Sequence, residues 1–205
     1  MKVINPSYEI ISYTPNLEKV LELAGRVCYK SEDKICDGSA DKFIGRLMES
    51  KHESVLEHGS ITVKIICDRG VSHELVRHRI ASYSQESTRY CNYSKDKFDS
   101  HITFIKPSFW DEQSLNYEIW SNAMKDAETY YMLLLNGGAS PQEARSVLPN
   151  SLKTEVVMTA NPREWRHVFR MRCAQTAHPQ IREIMQPMLA EFKTKWPSIY
   201  GDMDA

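Results

Sequence analysis

The chain has 205 residues, 41% hydrophobic and 26% charged, and its 26 Lys and Arg nearly balance 27 Asp and Glu to give a net charge of −1. That length suffices for one sizeable domain, and the near-neutral balance excludes polynucleotide affinity driven by overall charge. No run approaches the roughly 20 apolar residues of a membrane helix, and residues 1–13 lack the apolar stretch of a signal peptide. Five widely spaced cysteines (Cys28, Cys36, Cys67, Cys91, Cys173) without a Cys-x-x-Cys pair argue against a disulfide scaffold or zinc ribbon, so the expectation is a cytoplasmic protein with reduced thiols.

Val3, Ile4, Ile10 and Ile11 predict one or two short strands. Thr14-Pro15 reads as the cap and first residue of a helix carrying Leu17, Val20, Leu21, Ala24, Val27 and Cys28 on one face. Ser39 reads as the cap of a second helix to about Ser50. Ile61, Val63, Ile65 and Cys67 alternate as a strand stopped by Asp68-Arg69-Gly70. A helix from Val71 to about His78, a polar loop and a strand over 102–105 follow. The longest helix spans 114–136 and stops at Gly137-Gly138.

Ser140-Pro141-Gln142-Glu143 has the form of a capping box, and starts a helix to about Leu148. Residues 152–159 predict a strand, and Asn161-Pro162-Arg163-Glu164 repeats the same start logic for a helix to about Cys173. A last helix begins near Pro179, and Pro187 should kink or shorten it. The elements mix without a βα repeat, and no glycine-rich loop follows a strand. The fold class is therefore α+β, a single domain whose mixed or antiparallel sheet is flanked by helices.

Residues 77–90 concentrate Arg77, His78, Arg79 and Arg89 with the hydroxyls of Ser82, Ser84, Ser87 and Thr88. Guanidinium forks and short hydroxyl donors suit a compact anion such as a phosphate, whereas a solvated loop would explain the charges alone. In the helix from Pro162, Trp165, Phe169 and Arg172 share a face, and Arg163, His167 and Arg170 form a basic stripe. Arg172 ends an aromatic stripe either as a structural ion pair or as a ligand contact.

His73-Glu74 followed by His78 misses the His-Glu-x-x-His zinc pattern by one residue, which turns the two histidines about 140° apart on a helix. His52 and His58 are not at ligand spacing either, and no metal is expected. A single-stranded nucleic-acid module, stacking bases on Tyr83, Tyr90 and Tyr93 among the arginines, is the alternative from a different class.

Arg77-His78-Arg79, seven residues and then Ser87 resemble the signature of the flavin-dependent thymidylate synthases. The segment 52–58 resembles that family's histidine-containing segment. Ala144 to Pro149 with Thr154, Thr159, Asn161, Arg163, Phe169 and Arg172 are similar to its C-terminal pattern, and 180–184 to its last helix. The resemblance implies bound FAD, with NADPH and 5,10-methylenetetrahydrofolate as co-substrates, for reductive methylation of dUMP to dTMP. It implies a homotetramer with sites shared between subunits.

Carried over by position, His52, Ser54, Arg77, His78, Arg79, Gln85, Asn161, Arg163 and His167 would hold FAD, with His52 near the flavin ring and the folate. Glu74, Arg77, Gln85, Glu86, Ser87 and Arg89, with Arg145 from another subunit, would hold dUMP. Arg172 would face the uracil ring and be the catalytic residue. Glu74 departs from the family's frequent glutamine, Gln85 from a glutamate of some relatives and His167 from an asparagine. Ser87 is assigned to substrate binding and not to nucleophilic attack, for want of an activating histidine–carboxylate pair.

Overall fold

The computed structural model describes residues 1–95, 98 and 100–204. The elements are β1 (Lys2–Ile4), β2 (Ser7–Tyr13), α1 (Leu17–Val27), α2 (Ser39–Glu49), β3 (Ile61–Asp68), α3 (Arg69–Leu75), β4 (Ala81–Gln85) and β5 (Thr103–Ile105). They continue with α4 (Leu115–Asn136), α5 (Pro141–Ala144), β6 (Lys153–Ala160), α6 (Pro162–Arg172), α7 (Pro179–Lys195) and α8 (Pro197–Tyr200). Short 3-10 turns occupy Glu32–Lys34, Glu53–His58 and Arg145–Val147. The α+β class stands, with both parallel and antiparallel pairings. Among the described residues no helix is long and apolar enough to cross a membrane.

Strand order in the larger sheet is β2-β3-β6-β4, and β1 pairs in parallel with β5, setting Lys2 opposite Thr103 and Ile4 opposite Ile105. Two compact units are built from these elements: Met1–Ser7, Ile65–Arg77 and Ser84–Val157 form the first, and Tyr8–Lys64, His78–Tyr83 and Met158–Ala205 the second. In the first unit, Phe104, Tyr131, Ile102, Trp120 and Leu152 pack as one apolar cluster, with Trp120 Nε1 donating to Ser151 Oγ at 3.0 Å. In the second, Trp165, Phe169, Phe192, Trp196 and Tyr200 form a chain of ring contacts with centroids 5.0–6.3 Å apart. Side chains of this size dominate core energetics because each removes a large apolar area from water.

Several expectations need correction. Ser39 is the first residue of α2 and not its cap, a place taken by Gly38, whose φ is 73°. Thr14 does not cap α1: its Oγ1 accepts from Ser60 N at 2.9 Å, and the helix starts at Leu17 after Asn16, whose φ is 50°. Val27 and Cys28 are exposed, while Glu22 and Arg26 are buried as an i, i+4 ion pair at 2.7 Å, so the α1 face is not purely apolar. Helix α3 ends at Leu75 with Val76 as C-cap, so Arg77-His78-Arg79 leaves the helix instead of ending it. The expected polar loop contains strand β4 at its start; sheet pairing overrides the polar composition of Ala81–Gln85.

The helix opened by Ser140 is only α5, which tightens into the Arg145–Val147 turn. The capping box there is real: Ser140 N donates to Glu143 Oε2 at 2.7 Å. Pro187 does not shorten α7, which runs on to Lys195 because the buried Met185, Met188, Leu189 and Phe192 hold the turns on either side. All five cysteines are free.

Candidate functional site

Asp68 ends β3 and caps α3, its Oδ1 accepting from Val71 N at 2.7 Å. After α3 the chain presents Arg77 and Arg79 to solvent and turns His78 inward, 5% exposed. The Tyr83 hydroxyl of β4 fixes this turn by donating to the His78 carbonyl at 2.7 Å. The His78 ring thus rests on a buried floor while the arginines on either side reach water.

Helix α6 supplies that floor in the second unit. Asn161 caps it by accepting from Glu164 N at 2.8 Å, and Pro162 sits at the first helical position. Trp165, Val168 and Phe169 are buried, and Arg163, His167 and Arg170 lie exposed on the other side, as the two stripes require. Trp165 Nε1 donates to the Ile61 carbonyl at 3.0 Å and fixes the rotation of the helix. At the C-terminal end, Arg172 Nε donates to His78 Nε2 at 3.0 Å.

His78 is hemmed in. Its Nδ1 lies 3.7 Å from Glu164 Oε1, and its ring meets that of His167 edge-on at 5.5 Å. Burial, then the Arg172 and His167 charges, push its pKa down to about 4. Burial likewise raises the Glu164 carboxyl, with His167 opposing. His78, Glu164 and His167 bring possible ligand atoms within 4.8 Å of one another. They do not suit a cation: an arginine always donates, so neutral His78 carries its proton on Nδ1 and has no lone pair to offer.

The Glu53–His58 turn is locked onto the outer side of α6. Glu53 Oε1 accepts from Arg170 Nη2 at 2.6 Å and lies 3.4 Å from Arg166 Nε, and Arg163 pairs with Glu57. Arg166, 3% exposed, also makes a bidentate pair with Asp202 at 2.6 and 2.7 Å. His52 and Ser54, flanking Glu53, are exposed. Burial raises the Glu53 carboxyl, but the Arg170 hydrogen bond and the Arg170 and Arg166 charges outweigh it and hold the pKa below 4.5.

A carboxyl depressed by folding stabilises above its unfolded value, and that contribution is lost as pH falls through the folded one. Glu53→Gln should therefore flatten the fall of the melting midpoint as pH drops below the usual carboxylate value, leaving the share of Asp202, itself lowered by its Arg166 hydrogen bond. Superimposable midpoint-against-pH curves for the two proteins would show that the clamp contributes nothing.

In the first unit, Gln85 Nε2 donates to Ser72 Oγ at 2.9 Å and Thr154 Oγ1 at 3.2 Å. The Glu86 carboxylate takes the Tyr93 hydroxyl at 2.8 Å and Lys153 Nζ at 3.0 Å, so it faces the protein and not an open ligand site. Ser87 Oγ accepts from Arg89 N at 3.3 Å in a tight turn, and the exposed Arg89 lies over the Tyr90 ring. Arg145 Nη1 donates to the buried Thr88 Oγ1 at 3.2 Å within the same chain.

A cavity of about 250 Å³ opens there, lined by Arg69, His73, Thr88, Arg145, Ser146 and Asn150 among others. Two guanidiniums and two hydroxyls around that volume suit a phosphate-sized anion. Glu74 is half-buried on α3.

His78, His167 and Arg172 are thus brought together, as are Thr88 and Arg145 beside Ser87 and Arg89. Of the tyrosines proposed to stack bases, Tyr93 is 4% exposed and Tyr83 half-buried, leaving only Tyr90 outward. Sequence reasoning gave no site role to Glu53, Glu164 or Arg69, and named Thr88 only as one hydroxyl of the 77–90 cluster. The row Arg163, Arg166, Arg170 on α6 was the available signal for an acidic partner such as Glu53.

Residues 9–198 match the family model described as thymidylate synthase complementing protein. The chain is 35% identical over 200 residues to the flavin-dependent thymidylate synthase of Geobacter sulfurreducens, covering 94% of this chain and 84% of that one. It is 33% identical over 189 residues to that of Pyrococcus furiosus, covering 89% and 77%. Its fold is similar to that of the UMP/dUMP methylase PolB from Streptomyces cacaoi, with a TM-score of 0.79, 24% identity and coverage of 98% and 96%.

Proposed function

Since the chain belongs to the family of flavin-dependent thymidylate synthases, we propose that it converts dUMP to dTMP with FAD bound, 5,10-methylenetetrahydrofolate as one-carbon donor and NADPH as reductant. The balance is dUMP, methylenetetrahydrofolate, NADPH and a proton in; dTMP, tetrahydrofolate and NADP⁺ out. The observation that carries this reading is Arg172, held at the end of α6 against a buried neutral histidine of the Arg77-His78-Arg79 segment. The whole chain is taken to act as one domain, in a cytoplasmic homotetramer with shared sites.

The donor set suits FAD. In the second unit, exposed Arg79 and Arg163, with the N-terminus of α6 at Asn161, are cationic and amide donors of the kind a diphosphate needs, and the family resemblance adds Arg77. His52, Ser54, His78, Gln85 and His167 complete the set that would hold it. Bound flavin supplies the hydride that completes the methyl group. The protein's share is to bind, orient and polarise: Arg172 would stabilise negative charge developing on the uracil ring, and Ser87, Arg89 and Arg145 would hold the phosphate.

Arg145→Ala should raise KM for dUMP roughly 10- to 100-fold, the scale of one lost charge-assisted hydrogen bond, with bound flavin unchanged. An unaltered KM would remove Arg145 from the nucleotide site. The function itself is tested by dTMP formation from dUMP, methylenetetrahydrofolate and NADPH at low oxygen, with and without FAD. FAD-dependent product supports the reading; no product from flavin-loaded protein overturns it.

A further inference from the structure

We propose that Glu164 is a positioning residue that holds His78 in its Nδ1-protonated form, so that His78 Nε2 accepts from Arg172 Nε and orients the Arg172 guanidinium for the ligand. The inference rests on the assignment of Arg172 to the reacting nucleotide, and extends it to a carboxylate that the site residues above do not include.

The geometry leaves one protonation pattern. Arg172 Nε can only donate, so His78 Nε2, at 3.0 Å, must present its lone pair. The ring is 5% exposed and neutral, which puts its single proton on Nδ1. That nitrogen faces Glu164 Oε1 at 3.7 Å, an electrostatic contact slightly longer than a direct hydrogen bond. The charged and titratable groups around the ring are Glu164, His167 and Arg172 from α6, with the Tyr83 hydroxyl from β4 on the backbone side.

With Nε committed to His78, any ligand contact of Arg172 is made through Nη1 and Nη2, in the plane that the His78 bond defines. Carboxylate–histidine pairs fix imidazole orientation in this way at many sites. Glu164 is 6% exposed, and a buried carboxylate is costly unless something faces it. An acid in the first turn of α6 also complements the helix dipole. That purely structural role would alter stability without touching the protonation of His78.

The experiment compares flavin-loaded wild type with Glu164→Ala and Glu164→Gln. Side-chain ¹⁵N spectra of histidine-labelled protein, assigned with His78→Asn, read which His78 nitrogen carries hydrogen. Wild type should show only the Nδ1–H form; the alanine variant, whose His78 ring is no longer held against Arg172 and can turn, should show a mixture. Its kcat should fall on the order of 100-fold, the scale of a misplaced catalytic group, with KM for dUMP little changed. Glutamine, whose amide oxygen keeps a partial negative charge facing Nδ1–H, should restore most of the single form and of the turnover. If alanine does not fold, Glu164→Leu, which fills the volume, replaces it.

A single Nδ1–H form in the alanine variant overturns the proposal whatever its activity. So does a mixture with unchanged kcat. Should wild type itself make no dTMP, the assignment of function fails, while the spectra still decide whether Glu164 controls His78.

Discussion

Arg172→Ala is expected to lower dTMP formation by about 100- to 1,000-fold while the purified protein keeps its flavin. The size follows from what is removed. A preorganised cation aimed at charge that develops during reaction is worth that factor when deleted singly. The retention of flavin follows from placement: Arg172 is at the last turn of α6, whereas apart from His167 and Gln85 the residues assigned to FAD lie at the first turn and on the segments 52–54 and 77–79. Lysine should not rescue, because it lacks the Nε–H that meets His78 at 3.0 Å together with a planar fork. Absorbance of bound flavin and single-turnover product formation check both halves. Loss of flavin with normal chemistry in reloaded protein would move Arg172 from the substrate to the cofactor.

Trp165→Ala should produce the largest loss of stability among these substitutions, about 3–5 kcal/mol, read as a fall in the thermal midpoint. Trp165 is fully buried, its ring lies 5.7 Å from Phe169 and 5.5 Å from Phe192, and its indole N–H satisfies the Ile61 carbonyl. Truncation opens a cavity and removes the indole hydrogen bond to that carbonyl, two costs that add. Trp165→Phe keeps most of the packing and loses only the hydrogen bond, so its cost should fall to about 1–3 kcal/mol. Equal midpoints for the two variants would mean that the indole N–H, not the ring volume, anchors α6.

The sequence carried the helical periods of α4, α6 and α7, because a buried stripe at 3.6-residue spacing shows in any apolar pattern. It carried the arginine segment and the two stripes of α6 as well. Strand β4 stayed hidden because Ala81–Gln85 has the composition of a loop and becomes a strand through pairing with β6. The start of α1 was misread for a related reason: Thr14 has a capping side chain, and Ser60, distant in sequence, claims it.

Glu53, Glu164 and Arg69 were illegible as site residues because their roles are defined by partners remote in the chain. Glu164 illustrates the limit. Its local pattern is that of a helix-start acid, as at Glu143, and only the fold reveals that its carboxylate faces His78 and not merely its own helix end.

Helix α6 has three obligations on its three sides: an aromatic stripe toward the core, a row of arginines gripping Glu53 and Glu57, and Arg172 at its end. Inserting or deleting one residue inside it would rotate everything downstream by about 100°, so all three would fail together. Changes in length are better absorbed at the turn around Asp111, which ends before Ser114 caps α4. A library of single-residue insertions along the gene should therefore fall silent across 162–172 and survive near 111–113.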